Sequence, residues 1–176
     1  RWNKASGTIK QIVQDDSDAN NKYASLSRVS AYADSELLKN NRIAASAFVA
    51  SGRLLLDAAG TGTVDVGFAG KNLLSFTYLS ETSNYTWSAG GVATDCILEP
   101  DTWVKFNVYV VPGSGSTAAE QWANATLTAF VSGDVKDSGG ALLASKQVKT
   151  VVSPFDSGCD GSTGKTFGIY ARKNGG

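Results

Sequence analysis

None of the 176 residues in this sequence is a histidine. This excludes Ser-His and Cys-His nucleophile pairs and the usual zinc sites. Pairs of carboxylates remain possible, because glycoside hydrolysis needs only two of them. The glutamates are Glu36, Glu81, Glu99 and Glu120. Asp65 lies inside a predicted strand, where we expect its side chain to face solvent. The four glutamates and Asp65 therefore predict no complete catalytic site.

The segment Gly161–Thr166 ends in Gly-Lys-Thr, as a phosphate-binding loop does. That motif requires a glycine five residues before Gly164, and position 159 is a cysteine instead. The motif must also open a helix, whereas Phe167–Tyr170 alternates like a strand. The sequence therefore predicts a turn here and no phosphate site.

Oxygen-bearing side chains occur at alternate positions in Asp16, Asp18 and Asn20, as at the start of a calcium-binding loop. The sixth position of such a loop needs glycine and is Asn21 here. The twelfth needs a bidentate glutamate and is Ser27. We therefore expect an Asx-rich turn without a cofactor. A calcium site of another geometry at the first three residues is the alternative.

Aromatic residues in polar segments indicate a binding function. Tyr85 and Trp87 fall in a predicted loop that also contains Asn84, and Trp122 falls in another. Sugars present apolar C–H faces that stack on such rings, while neighbouring amides and hydroxyls bind their hydroxyl groups. One alternative is that each ring caps the end of the core and is buried. Another is that exposed rings and strand edges form subunit contacts.

Sixteen basic and sixteen acidic residues cancel, so nucleic acid and anionic membranes are not expected partners. No apolar run is long enough to span a bilayer. The chain has no methionine and begins at Arg1. We expect either that a leader has been removed or that the sequence is a piece of a longer chain.

The two cysteines, Cys96 and Cys159, lie in Gly-, Asp- and Ser-rich surroundings typical of surface loops. We predict that they form a disulfide, which would close a long loop and stabilise the fold by about 4 kcal/mol. Two separate thiols are the alternative. A disulfide favours an extracellular or secreted protein at a cell or particle surface.

The strand that must organise these residues is Asp101–Val111. Its core-facing side chains are predicted to be Val104, Phe106, Val108 and Val110. The opposite set mixes rings with polar groups, as a face toward solvent or a ligand does. It consists of Trp103, Lys105, Asn107, Tyr109 and Val111.

Ten or eleven strands at spacings of about ten residues predict a single all-β domain over residues 1–176, an antiparallel sandwich of jelly-roll type with little helix. Three connections are predicted between them. Ser35–Arg42 is expected to be a turn or one helical turn, Ser51–Gly52 a break between strands, and Pro112–Thr117 a long flexible loop.

The strand order around "DTWVKFNVYV", with a tryptophan at the mouth of a long strand, resembles the concanavalin A-like sandwich. That architecture is shared by legume lectins, laminin G-like modules and several polysaccharide lyases. Lys165-Thr-Phe-Gly-Ile-Tyr170 is similar to the final strand of some of the lyases. The resemblance covers roughly residues 42 to 172. For a lyase it implies a role for Tyr170 with Lys165 or Arg172.

These observations favour a non-catalytic, lectin-like carbohydrate-binding module, with sugar stacking on Tyr85, Trp87 or Trp122. The alternative is a self-assembling structural subunit of an extracellular filament, pilus or viral shell. A polysaccharide lyase is the third reading. The expected partner is therefore a glycan or further copies of this chain.

Overall fold

The fold is built almost entirely from β-strands. The computed structural model describes residues 47–57 and 62–159 in full, residues 168 and 169, and the backbone alone of residues 3–4, 8–15, 18–28, 35–41 and the rest of 165–172. The elements in these residues are β1 (Asn3–Lys4), β2 (Thr8–Asp15), β3 (Asp18–Arg28), β4 (Ser35–Asn41), β5 (Phe48–Leu56), β6 (Thr63–Phe68), β7 (Lys71–Leu79), β8 (Asn84–Ala89), β9 (Val92–Leu98), β10 (Thr102–Val111), α1 (Ala118–Ala123), β11 (Ala125–Ser132), β12 (Val135–Lys136), β13 (Gln147–Phe155) and β14 (Lys165–Arg172). The predicted all-β class with little helix is confirmed.

The described strands form three antiparallel sheets. Eight strands lie in the order β1-β4-β14-β6-β7-β8-β9-β12, four in the order β13-β11-β10-β5, and β2 pairs with β3. Strands β6 to β9 are consecutive neighbours, whereas β14 reaches its place between β4 and β6 through long-range pairing. Buried residues of the four-stranded and eight-stranded sheets form one hydrophobic cluster, so the two sheets make a β-sandwich.

Strand β10 supplies one side of that core. Its four predicted core residues are each at most 1% exposed, and the alternate residues are half-buried or exposed. The facing layer includes Phe68 of β6, whose ring centroid lies 4.4 Å from that of Phe48 in β5. The period-2 prediction for β10 is therefore confirmed on both of its faces.

Strand β5 continues through the position where the sequence predicts a break at Ser51–Gly52. A Cβ on Gly52 would lie 2.9 Å from Cζ of Phe106 in the neighbouring strand. Phe106 is 1% exposed and packed in the core, so its ring has little room to move. The glycine here allows the close approach of an aromatic ring and does not mark a turn.

The predicted turn at residues 35–42 is wrong, because residues 35–41 form strand β4. This strand pairs with β1 on one side and β14 on the other. Pairing with Thr166 and Lys165 of β14 outweighs the weak turn preference of Asn40 and Asn41, since strand propensity depends strongly on sheet context.

Asp65 is also placed differently from the prediction, since it is only 2% exposed. It lies in β6 opposite Ser75 of β7 and Tyr170 of β14. Four successive residues, from Asp65 to Phe68, are buried, so this part of β6 is covered on both faces. The expectation that Asp65 faces solvent is therefore wrong.

Helix α1 occupies the segment around Trp122 that is predicted to be a loop. Thr117 caps its N-terminus: its hydroxyl accepts from the Glu120 N–H, and the Glu120 carboxylate accepts from the Thr117 N–H. Such a capping box satisfies two backbone donors at once. The preceding loop packs tightly on the helix, because the Gly113 N–H donates to the Gln121 carbonyl at 2.8 Å.

Candidate functional site

A cleft of about 600 Å³ opens at one end of the four-stranded sheet. We call it the Trp103 cleft. Its lining residues come from the start of β10, the turn after β11 and the start of β13, and are Trp103, Ser132, Gly133, Asp134, Ser145, Lys146 and Gln147. Strands β10, β11 and β13 are consecutive in the sheet. They bring together residues that lie up to 44 positions apart in the sequence.

Close backbone packing shapes this cleft. The Gly133 N–H donates to the Lys146 carbonyl at 3.0 Å, which joins the turn after β11 to the start of β13. A Cβ on Gly133 would lie 3.0 Å from the Trp103 carbonyl oxygen. Lys146 has a left-handed backbone conformation with φ of 48°, and its N–H donates to the Leu143 carbonyl at 2.9 Å. Backbone contacts therefore fix the two turns that line the cleft, and their polar side chains are free to face solvent.

The polar side chains of the cleft are exposed. Lys146 Nζ lies 4.0 Å from Asp134 Oδ1, and the two side chains are 64% and 50% exposed. An ion pair this open and this long contributes little to stability. Both groups can therefore exchange their mutual contact for hydrogen bonds to a ligand.

The cleft continues onto the solvent side of the four-stranded sheet, which we call the outer face. The Arg53 guanidinium lies 5.1 Å from the centroid of the half-buried Trp103 ring. Farther along the face, Tyr109 is 41% exposed and meets Phe130 edge-on at 5.9 Å between centroids. Aromatic rings and polar groups therefore alternate over several strands of this face.

This arrangement offers an aromatic surface and several polar groups to a ligand. The lining combines one tryptophan ring with hydroxyl, amide, carboxylate and ammonium groups, and such polar groups can orient a ligand that contacts the ring. Among the described residues that line the cleft, Asp134 is the only carboxylate. A glycosidase of the usual kind needs a second one.

The three rings predicted to bind sugar are buried instead. Tyr85 and Trp87 are each 2% exposed and Trp122 is 1% exposed. The predicted loop around the first two is strand β8, whose residues alternate between half-buried and buried. A ring with no exposed face cannot stack on a sugar, so in this structure these residues belong to the core.

Tyr85 is fixed in that role by its hydroxyl, which donates to the Asp57 carbonyl at 2.8 Å. Burial, with a contribution from the Asp57 charge, raises the pKa of Tyr85 to about 12. Asn84, the fourth predicted sugar-binding residue, is half-buried at the start of β8, and its amide donates to the Thr82 carbonyl at 2.8 Å. The structure does not bring Asn84 or the three rings to the Trp103 cleft.

The remaining predicted site residues fall largely outside what the structure describes. Asp16 lies outside the described residues, and Asp18 and Asn20 are described only as backbone in β3. Lys165, Tyr170 and Arg172 likewise appear only as backbone in β14. Within the described part of the chain, acidic residues and cysteines form no cluster of three or more that could hold a metal ion. The calcium and lyase hypotheses stay predictions.

The predicted disulfide between Cys96 and Cys159 is wrong, because the two described cysteines are not bonded to each other. Cys96 lies in β9, where the nearest charges are those of Asp95 and Asp137. Cys159 is buried in the segment after β13, and its N–H donates to the Ser157 hydroxyl at 3.3 Å. Local composition suggested a surface loop for each, but one lies in a strand and the other is buried.

We expect the unfolded protein, without reductant, to titrate as two thiols with Ellman's reagent. In the folded protein, burial and the neighbouring acids raise the pKa of Cys96, so little reactive thiolate is present at pH 8. The rate of Cys96 modification should rise about ten-fold per pH unit below its pKa, while buried Cys159 reacts only on unfolding.

The matched variant for this experiment is Cys96→Ser. It should change the free energy of unfolding by less than about 1 kcal/mol, whereas loss of a native disulfide costs about 2–5 kcal/mol. An unfolded chain without titratable thiols would contradict the structure at these two residues.

Comparison of the chain with protein-family models, curated proteins and solved structures finds no match. No helix in the described part of the chain has both the length and the apolar character to cross a bilayer.

One sequence signal for this site was the alternation in β10. It places Trp103, Lys105, Asn107 and Tyr109 on one face, and the structure confirms that this face is directed away from the core. The other walls of the cleft come from turns whose polar residues resemble ordinary loop residues. Only the pairing of β10 with β11, and of β11 with β13, brings them beside Trp103.

Proposed function

We propose that this protein is a non-catalytic carbohydrate-binding module whose ligand enters the Trp103 cleft and stacks on Trp103. The observation that carries the proposal is the half-buried Trp103 ring beside exposed polar groups of Asp134 and Lys146. The ring offers an apolar surface to the C–H face of a sugar. The polar groups offer both donors and acceptors to its hydroxyls.

The architecture supports the proposal at a coarser level. A two-sheet antiparallel sandwich is compatible with the concanavalin A-like fold that the sequence resembles, and that fold includes lectins. Fold alone does not establish function, so the cleft carries the argument. A polysaccharide ligand also suits a protein that works outside the cell, which we propose as its location.

The proposal is tested with a glycan array followed by titration calorimetry on the glycans that bind. We expect Trp103→Ala to weaken binding at least ten-fold while the thermal unfolding temperature changes little. The loss follows from removal of the stacking surface, because alanine leaves the polar walls in place. Binding should also change the fluorescence of Trp103, a change that Trp103→Phe removes.

The control is Val92→Ala, which shortens a side chain that is 49% exposed at the start of β9 in the other sheet. It should leave glycan affinity within two-fold of wild type. A folded protein that binds no glycan on the array would contradict the proposal. So would a Trp103→Ala variant that binds as tightly as wild type.

A second candidate function, self-assembly, is favoured by the apolar half of the outer face. Val49, Tyr109, Val111 and Val151 are 59%, 41%, 48% and 52% exposed on the three strands β5, β10 and β13. Exposed apolar patches of this kind occur at protein–protein contacts. Sedimentation of a single monomeric species across a wide concentration range would remove this candidate.

A further inference from the structure

We infer that the glycan bound at the Trp103 cleft is acidic, and that its carboxylate or sulfate groups are held by cations on the outer face. This inference rests on the proposed function and specifies its ligand. The cationic row, as we call it, consists of Arg53, Lys105 and Lys149. It lies on the three strands β5, β10 and β13 of the sheet that supplies Trp103.

Charge on this sheet is one-sided. The sequence as a whole has sixteen basic and sixteen acidic residues. None of the acidic residues falls in the four strands β5, β10, β11 and β13, all of which the structure describes in full. Every charged side chain within these four strands is therefore positive, while the carboxylate of the cleft lining, Asp134, lies in the turn after β11 and faces Lys146.

Strand pairing places two of these charges face to face. Arg53 is the direct register partner of Lys105. Like charges at opposed positions of adjacent strands destabilise a sheet. In the described part of the chain, no salt bridge to a carboxylate offsets this repulsion for either residue or for Lys149. An anionic ligand bound between Arg53 and Lys105 would reduce this repulsion, so the pair favours binding of an anion.

Aromatic rings connect the cationic row with the cleft. The Arg53 guanidinium lies 5.1 Å from the Trp103 ring centroid, and Lys149 Nζ lies 5.8 Å from that of Phe130. Contacts of a cation with a ring face orient the cation without neutralising it. Lys105 and Lys149 are separated by one intervening strand and by two residues along it, or roughly 12 Å between their Cα atoms at the usual strand geometry. An extended chain leaving the cleft can therefore cross all three cations.

The chemistry of the face selects a glycan among anionic partners. Asn107 and Ser132 lie in the same rows of the sheet as the cations and offer hydrogen bonds to hydroxyl groups. A second copy of this chain is disfavoured at this half of the face, because two cationic rows would oppose each other. Membranes and acidic polypeptides lack the combination of ring-stacking faces and hydroxyls that the Trp103 cleft fits.

The test uses matched pairs of oligosaccharides that differ only in charge. One pair is a hexasaccharide of galacturonate and the same compound with its carboxylates reduced to alcohols. The other is a sulfated hexasaccharide and its desulfated form. We expect the acidic member of at least one pair to bind at least ten-fold more tightly at low salt. This advantage should shrink as added salt screens the exposed cations.

Two variants localise the effect. Lys105→Glu should weaken binding of the acidic hexasaccharide at least ten-fold and leave the neutral one within two-fold. Lys71→Gln removes one positive charge at an exposed ion pair with Asp156, on the other sheet, and should change neither affinity. Folding of both variants is checked by circular dichroism and thermal unfolding.

The outcomes separate this inference from the proposed function. If neutral and acidic members of both pairs bind equally and Lys105→Glu has no effect, the ligand is a neutral glycan and the inference is overturned. If no glycan binds, the proposed function fails as well. If polyglutamate or anionic lipid vesicles bind as tightly as the acidic hexasaccharide, the attraction is not specific for a glycan, and the inference is again overturned.

Discussion

Trp122→Ala should lower the free energy of unfolding by about 3–5 kcal/mol, the usual cost of replacing a buried tryptophan with alanine. Trp122 is 1% exposed and is the buried residue of helix α1. Its ring lies 6.3 Å from that of Phe48, which in turn contacts Phe68 of the opposite sheet. The substitution would open a large cavity at the junction of the helix and both sheets.

The loss is measured by urea denaturation followed by circular dichroism. The segment after β13 should loosen as well, because the N–H and hydroxyl of the fully buried Ser157 both donate to the Trp122 carbonyl, at 3.2 and 3.0 Å. Faster hydrogen exchange at Ser157 and Cys159 would report this change.

Trp103→Ala is the matched control, since it removes the same side chain from a half-buried position. It should cost about 1 kcal/mol of stability or less, because little core packing is lost. The two tryptophans are thus expected to behave oppositely: one variant loses stability, the other glycan binding. A stable Trp122→Ala protein that has lost glycan binding would show that Trp122 is a ligand contact.

Gly113→Ala should lower the free energy of unfolding by about 2–4 kcal/mol, combining overpacking with the loss of one hydrogen bond. A Cβ on Gly113 would lie 1.9 Å from the carbonyl oxygen of Asn124, the residue that ends α1. That oxygen belongs to the backbone, so no side-chain rotation relieves the clash. The loop must move away, which breaks the bond from the Gly113 N–H to the Gln121 carbonyl.

Ser114→Ala is the control for this prediction. It changes the neighbouring exposed residue by one hydroxyl group, and its effect should stay within about 0.5 kcal/mol. Equal denaturation midpoints for the two variants would mean that the loop is mobile, as the sequence alone suggests. A large difference would mean that the loop is a packed part of the helix terminus.

Several functional features could be predicted only in part. The alternation in β10 correctly assigns Trp103 and Tyr109 to the outward face, because a strand directs successive side chains to opposite sides. The same alternation is present in β8, where Tyr85 and Trp87 alternate with Thr86 and Ser88. Serine and threonine are common in loops, so the composition of this segment favours a loop with exposed rings. In the structure the segment is a strand and the rings are buried.

By itself, the sequence determined the all-β class with little helix. Apolar alternation, together with the scarcity of strong helix-forming stretches, was sufficient for this, because both are local properties. The core face of β10 was determined in the same way, since only one of its two faces is uniformly apolar.

The tertiary structure alone decided which residues meet. Gly52 continues a strand because Phe106 packs against it, and Arg53 faces Lys105 because β5 pairs with β10 in one particular register. Shifting that register by a single residue would bring different side chains together. The Trp103 cleft and the cationic row depend on contacts between segments distant in the chain, which local preferences do not encode.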